Sequence, residues 1–129
     1  MILLAHLLTL TATDAPAAAE HPPAFAVCAA PQPGVGERFS GFVLQVMSGD
    51  ALCVATGPAP REWIRVRLAG VTPPPKRGVL MAASFAQKVS CVAVDRVEGE
   101  VFANCSVGGV ALSQIIRWPA IRQAAAAWR

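Results

Sequence analysis

Five segments with strand-like patterning, a helical segment after the third and another near the C-terminus predict a mainly β chain with α-helices, of the α+β class. Three strands, a helix, two strands and a helix is the order of a five-stranded OB-fold Greek-key barrel, with one helix between strands three and four and one at the C-terminal end. Three observations carry this expectation. Residues 61–68 alternate, with Ile64, Val66 and Leu68 on one side and Arg61, Trp63, Arg65 and Arg67 on the other, the period of a half-buried strand. Turn signals separate the segments: Ser48-Gly49-Asp50, Gly57-Pro58-Ala59-Pro60, and the glycine in residues 95–100. The length, 129 residues, suits one domain with a modest core.

The elements follow in order. Residues 1–19 have the layout of a secretory signal peptide. An apolar run over residues 2–10 is too short to span a membrane, and small residues ending in Ala17-Ala18-Ala19 follow it. No basic residue precedes the run. Val27 stands before Cys28 where a lipoprotein would need a small residue, so no lipid anchor and no stable membrane insertion are expected. The expected location is periplasmic or secreted.

Residues 20–38, rich in Pro, Ala and Gly, read as an irregular arm, and the barrel domain is expected over 39–120 with a tail over 121–129. Residues 39–46 form the first strand, with Phe42, Leu44 and Val46 alternating against Gly41, Val43 and Gln45. In the turn that follows, Gly49 is expected to take a positive φ. The second strand spans 51–55 and the third 61–68, which three prolines, 73–75, must lead out of the sheet. Residues 78–88 fit a helix with an apolar stripe of Val79, Leu80, Ala83, Phe85 and Ala86. Strands over 89–94 and 101–107 are joined by a hairpin turn across 95–100. A last helix over 110–118 is ended or kinked by Pro119, and the alanine-rich tail suits a further short helix.

A hydrophobic fraction of 54% with only 15% charged residues argues against disorder. The formal charge of +3 rises by one if residues 1–19, which hold Asp14 and no Lys or Arg, are removed. That mild excess fits an anionic ligand without requiring one. Four cysteines behind an export signal suggest disulfides, with three connectivities possible; four buried thiols are the alternative. A hairpin centred near Glu98 would set Cys91 and Cys105 nearly opposite, leaving Cys28 to tie the arm to Cys53. His6 and His21 are isolated, and no cysteine spacing matches a zinc site.

From about Phe39 to Ala120 the chain resembles the staphylococcal nuclease-like (thermonuclease) family, in particular its exported proteobacterial members. The resemblance rests on Gly49-Asp50-Ala51-Leu52, on Val66-Arg67-Leu68-Ala69-Gly70-Val71, on Asp95-Arg96 opening the hairpin and on Ile115-Ile116-Arg117 ending a helix. It implies an OB-fold and metal-dependent phosphodiester hydrolysis, in which a cation polarises the phosphate, a carboxylate activates water and arginines hold the developing charge. Asp50 matches the second acidic residue of the first turn, a metal ligand, and Arg67 the strand-three arginine, a catalytic role. Four positions depart from the pattern. Ser48 stands for the first acid, Thr72 and Pro75 for the Asp and Glu of an Asp-x-Pro-Glu segment, and Glu100 for the second arginine. One carboxylate holds Ca2+ weakly, a proline accepts no proton, and a glutamate repels phosphate.

Two functions follow. The first is an impaired or inactive nuclease-like domain that binds single-stranded nucleic acid or another anion. Its candidate surface is the stripe Arg61, Trp63, Arg65 and Arg67, with Lys76 and Arg77 extending the basic rim. The plainer reading of that stripe is a solvated strand face with Trp63 packed on a neighbouring helix, and a chain without tyrosine has fewer rings for stacking. The second is a phosphodiesterase with a rearranged site, in which Asp50 with Glu98 or Glu100 holds the metal and Arg67 the phosphate.

Overall fold

In the computed structural model, which describes residues 28–127, three strands open the domain: β1 (Arg38–Val46), β2 (Ala51–Ala55) and β3 (Trp63–Leu68). The expected signal segment and residues 20–27 of the expected arm lie outside the described residues. Helix α1 (Arg77–Ser84) follows, then β4 (Lys88–Val97), β5 (Glu100–Val107), a short β6 (Val110–Ala111), α2 (Leu112–Ile115) and α3 (Pro119–Ala125). Antiparallel pairing joins β1 to both β2 and β4, β2 to β3, and β4 to β5. Parallel pairing of β3 with β5, through Arg67 opposite Phe102 and Leu68 opposite Ala103, closes the barrel. This is the expected five-stranded OB-fold-like barrel, mainly β with α, with β6 added beside β5. None of the described helices is long and apolar enough to cross a membrane.

The alternation of β3 appears as expected: Ile64, Val66 and Leu68 are buried, and Trp63, Arg65 and Arg67 face outward. The inner residues join Val43, Val46, Leu52, Val54, Leu80, Val89, Val101 and Leu112 in one core. Arg61 does not extend the strand; Pro60 starts a 3-10 turn (Pro60–Glu62), and Arg61 sits exposed within it.

Strand β1 departs from simple alternation. Val43 and Val46 are buried, whereas Phe42 and Leu44 are 52% and 39% exposed. The pairing with β2 shifts between Val43 and Gln45, so the extra residue rotates the strand and puts Val43 and Val46, three apart, on the same face. Helix α1 ends earlier than its apolar stripe suggests. Phe85 is its C-cap, Ala86 takes φ +63°, and backbone bonds between Ala86, Gln87 and Val43 draw the chain toward β1. Val79, Leu80 and Ala83 still point inward.

The hairpin is tighter than expected. Strands β4 and β5 pair out to Val97 opposite Glu100, leaving Glu98 and Gly99 at φ +51° and +79°, the left-handed pair of a two-residue turn. Near the C-terminus, Pro119 opens α3 instead of merely ending its predecessor, because the first helical position needs no N–H. Residues 110–118, expected as one helix, are divided into β6 and α2, while α3 supplies the further short helix expected toward the tail.

Both expected disulfides form: Cys28–Cys53 with Cα atoms 6.1 Å apart and Cys91–Cys105 with Cα atoms 4.1 Å apart. Closing loops of 25 and 14 residues stabilises the fold by about 3 kcal/mol each in the chain-entropy account. Two disulfides fit an oxidising compartment.

Candidate functional site: an arginine enclosed by its own carboxylates

OB-fold barrels take ligands on the face of strands two and three, between the β1–β2 and β4–β5 loops. Of the site residues singled out on sequence, Asp50, Arg65 and Arg67 lie on or beside this face. The β2–β3 register sets Ala51 opposite Arg67 and Cys53 opposite Arg65. Asp50, just before Ala51, is anchored because its carbonyl accepts the Leu68 N–H at 2.7 Å. Parallel closure then brings the start of β5, and with it Glu100, beside Arg67.

The turn ahead of Asp50 owes its shape to space. Gly49 is not among the glycines with positive φ, contrary to the expectation for this turn. A Cβ there would instead overlap the carbonyl of Pro75, so Gly49 lets the turn lie against the proline loop. Ser48 donates its hydroxyl to Asp50 Oδ1 at 2.9 Å.

Asp50, Arg67 and Glu100 converge. Arg67 Nε and Nη2 donate to the two oxygens of Glu100 at 2.8 and 3.2 Å, a two-point fork. Arg67 Nη1 donates to Oδ1 and Oδ2 of Asp50 at 3.1 and 2.9 Å. Arg65 Nη2 reaches Glu100 at 3.5 Å. Every nitrogen of the Arg67 guanidinium therefore meets a carboxylate, and two arginines are balanced by two acids. The hydrogen bond from Arg67, reinforced by the charges of Arg67 and Arg65, holds the Glu100 carboxyl below its ordinary value against desolvation and the Asp50 charge. The bonds that Arg67 donates to Glu100 and then to Asp50 push its guanidinium further up.

The arm, which sequence reading left irregular, covers this face. Cys28 is bonded to Cys53 on β2, Ala29 N–H donates to the Pro60 carbonyl, and Ala30 N–H donates to the Trp63 carbonyl, both at 3.1 Å. Gln32 then sits beside the cluster and accepts from Arg96 Nη2 at 3.0 Å. The cleft among Gln32, Ala51, Arg65, Arg67 and Glu100 holds about 10 Å³. That is at the lower limit for one water. Nothing in the sequence marks Gln32, because its place depends on where the disulfide pins the arm.

The rest of the stripe is dispersed. Trp63 Nε1 donates to the Gly57 carbonyl at 3.1 Å, which ties the indole into the preceding turn instead of onto a helix. Arg61 lies in the 3-10 turn, Lys76 opens α1 on the far side of the proline loop, and Arg77 Nε donates to the Val46 carbonyl at 2.7 Å.

Calcium, which the resemblance implies for a working nuclease, does not fit this donor set. The ion takes six to eight oxygens, and here Asp50 and Glu100 are held on a guanidinium whose charge would repel it. Among the described residues no three acidic, histidine or cysteine side chains group in a way that could hold a metal, and Glu98 faces solvent. No protein-family model, curated protein or solved structure matches this chain.

Proposed function

We propose that the chain is an exported, non-hydrolytic binding module of staphylococcal nuclease-like type, which recognises an anionic partner without cleaving it. The observation that supports this most is the fork of Glu100 on Arg67. A phosphodiester needs that guanidinium to stabilise charge in its transition state, and Glu100 already occupies it as an internal anion. No base is offered by Pro73, Pro74 or Pro75 either, since a proline side chain carries no group that accepts a proton. Loss of a general base costs about 10²–10⁴ in rate. Loss of a charge-stabilising donor costs about 10²–10³ more. The two disulfides support a periplasmic or secreted location.

Single-stranded nucleic acid on the β3 stripe is the less favoured partner, because Trp63 is tied down and the arm is bonded to the start of the strand. A second reading, a metal-dependent phosphodiesterase with a rearranged site, draws on the convergence of Asp50 and Glu100 on one guanidinium. It requires Glu100 to leave Arg67 when metal and substrate arrive.

Incubation of the purified chain with single-stranded DNA or RNA and Ca2+, Mg2+ or Mn2+ separates the readings. The expected result is no cleavage above a metal-free control. Metal-dependent cleavage that disappears in Asp50→Ala overturns the first reading in favour of the second.

A further inference from the structure

The charge that the barrel face has neutralised reappears on the other side of the proline loop. There, residues 70–76, the start of α1, α2 and α3 enclose a groove of about 510 Å³. Its floor is apolar: Val71, Val79 and Ile116 are each less than a tenth exposed. Its rim carries Lys76, Arg117 and Arg122, all exposed, with the hydroxyl-bearing Thr72 and Ser113 between them.

No carboxylate lines this groove, and none of the three cations makes an ion pair among the described residues. The reason is written in the chain: residues 63–94 and 101–129, which supply every wall, contain no Asp or Glu. Three positive charges in one groove equal the formal charge of the whole protein, +3, so the remainder of the molecule is balanced. A volume near 500 Å³ suits a small molecule, in the range of ordinary ligand pockets. Prolines 73–75 wall the groove and no aromatic residue lines it, so a nucleobase would find nothing to stack on.

The geometry points to a binding site for a small amphipathic organic anion: an acidic head held by Lys76, Arg117 and Arg122, and an apolar body on Val71, Val79 and Ile116. This deepens the reading of the chain as an anion-binding module, by naming the site and the class of ligand. Carboxylate and phosphate heads share the required chemistry, so both are probed.

The test is calorimetric titration of the full chain with octanoate, octyl phosphate, thymidine monophosphate and inorganic phosphate, at low and high salt. At least one of the two octyl probes binds with Kd below about 1 mM, weakening as salt screens the head. Whichever head binds more tightly identifies the source. Inorganic phosphate binds at least tenfold more weakly than the better octyl probe, as does the nucleotide. The double variant Arg117→Gln, Arg122→Gln loses about tenfold in affinity for that probe while its melting temperature without ligand stays the same. Binding of neither octyl probe, equal binding by inorganic phosphate or the nucleotide, or unchanged affinity in the double variant overturns the assignment. Cleavage of nucleic acid is scored separately through Asp50, so failure of the groove and failure of the non-hydrolytic reading are told apart.

Discussion

The two sides of the proline loop hold arginines in opposite states. On the barrel side, Arg65 and Arg67 share Glu100, and Arg67 is gripped again by Asp50. On the helical side, Lys76, Arg117 and Arg122 rim a groove that no acid lines. The residue types are similar, and the difference lies in what the fold sets beside them. A guanidinium whose edges are filled by carboxylates is part of the architecture, and a guanidinium facing open space over an apolar floor is available to a ligand. Location on the usual ligand face of an OB-fold does not by itself make a side chain free to bind.

The wall common to both regions is residues 70–76, and the change with the largest expected effect acts through it. Gly49→Ala drives a Cβ into the Pro75 carbonyl, where backbone must move. The expected cost is about 2 kcal/mol, read from chemical denaturation. Because the loop serves both sides, the variant also weakens octyl-probe binding in the groove. An alanine variant as stable as the parent, with unchanged groove affinity, would mean the two regions are not joined through this wall.

Glu100→Ala should act on one side only. The Glu100 side chain is about a third exposed, so its pairs with Arg67 and Arg65 contribute at most about 1 kcal/mol, and groove affinity should not change. The pH dependence of that small loss has a definite sign. Glu100 is held below its ordinary value in the folded chain, so its contribution is fully present above the unfolded value of about 4.3. It is lost as pH falls through the lower folded value. The stability gap between parent and variant should therefore close below about pH 4.3. A gap that widens on acidification would show that Glu100 is not stabilised as an anion.

Much of this was readable before any coordinates. Alternation in residues 61–68 gave the inner and outer faces of β3, and the order of elements gave the barrel. The hairpin signal around Gly99 correctly set Cys91 opposite Cys105. Asp50 and Arg67 could be singled out because both belong to local patterns, a turn and a strand end. Features that depend on contacts between distant segments were not readable. The shift in β1 turned Phe42 and Leu44 outward, and a pattern of period two carries no sign of an extra residue. Gly49 was read for its backbone freedom, whereas its need is the closeness of Pro75, which only packing reveals. That Glu100 opposes phosphate is what the resemblance implies; that it forks Arg67 follows from the parallel closure of β3 on β5. The groove did have a signal, since acids are missing from two long stretches, but only the fold shows that those stretches meet.

That Glu100 occupies the Arg67 guanidinium and keeps an anion off it is tested most directly by following the Arg67 Nε–H resonance during a titration with inorganic phosphate. In the parent chain, where this proton is bonded to Glu100 Oε2 at 2.8 Å, the resonance should stay fixed. In Glu100→Ala it should shift and saturate as phosphate takes the vacated edge. A saturating shift in the parent as large as that in the variant would contradict the account, because Arg67 would then be open to an anion with Glu100 in place.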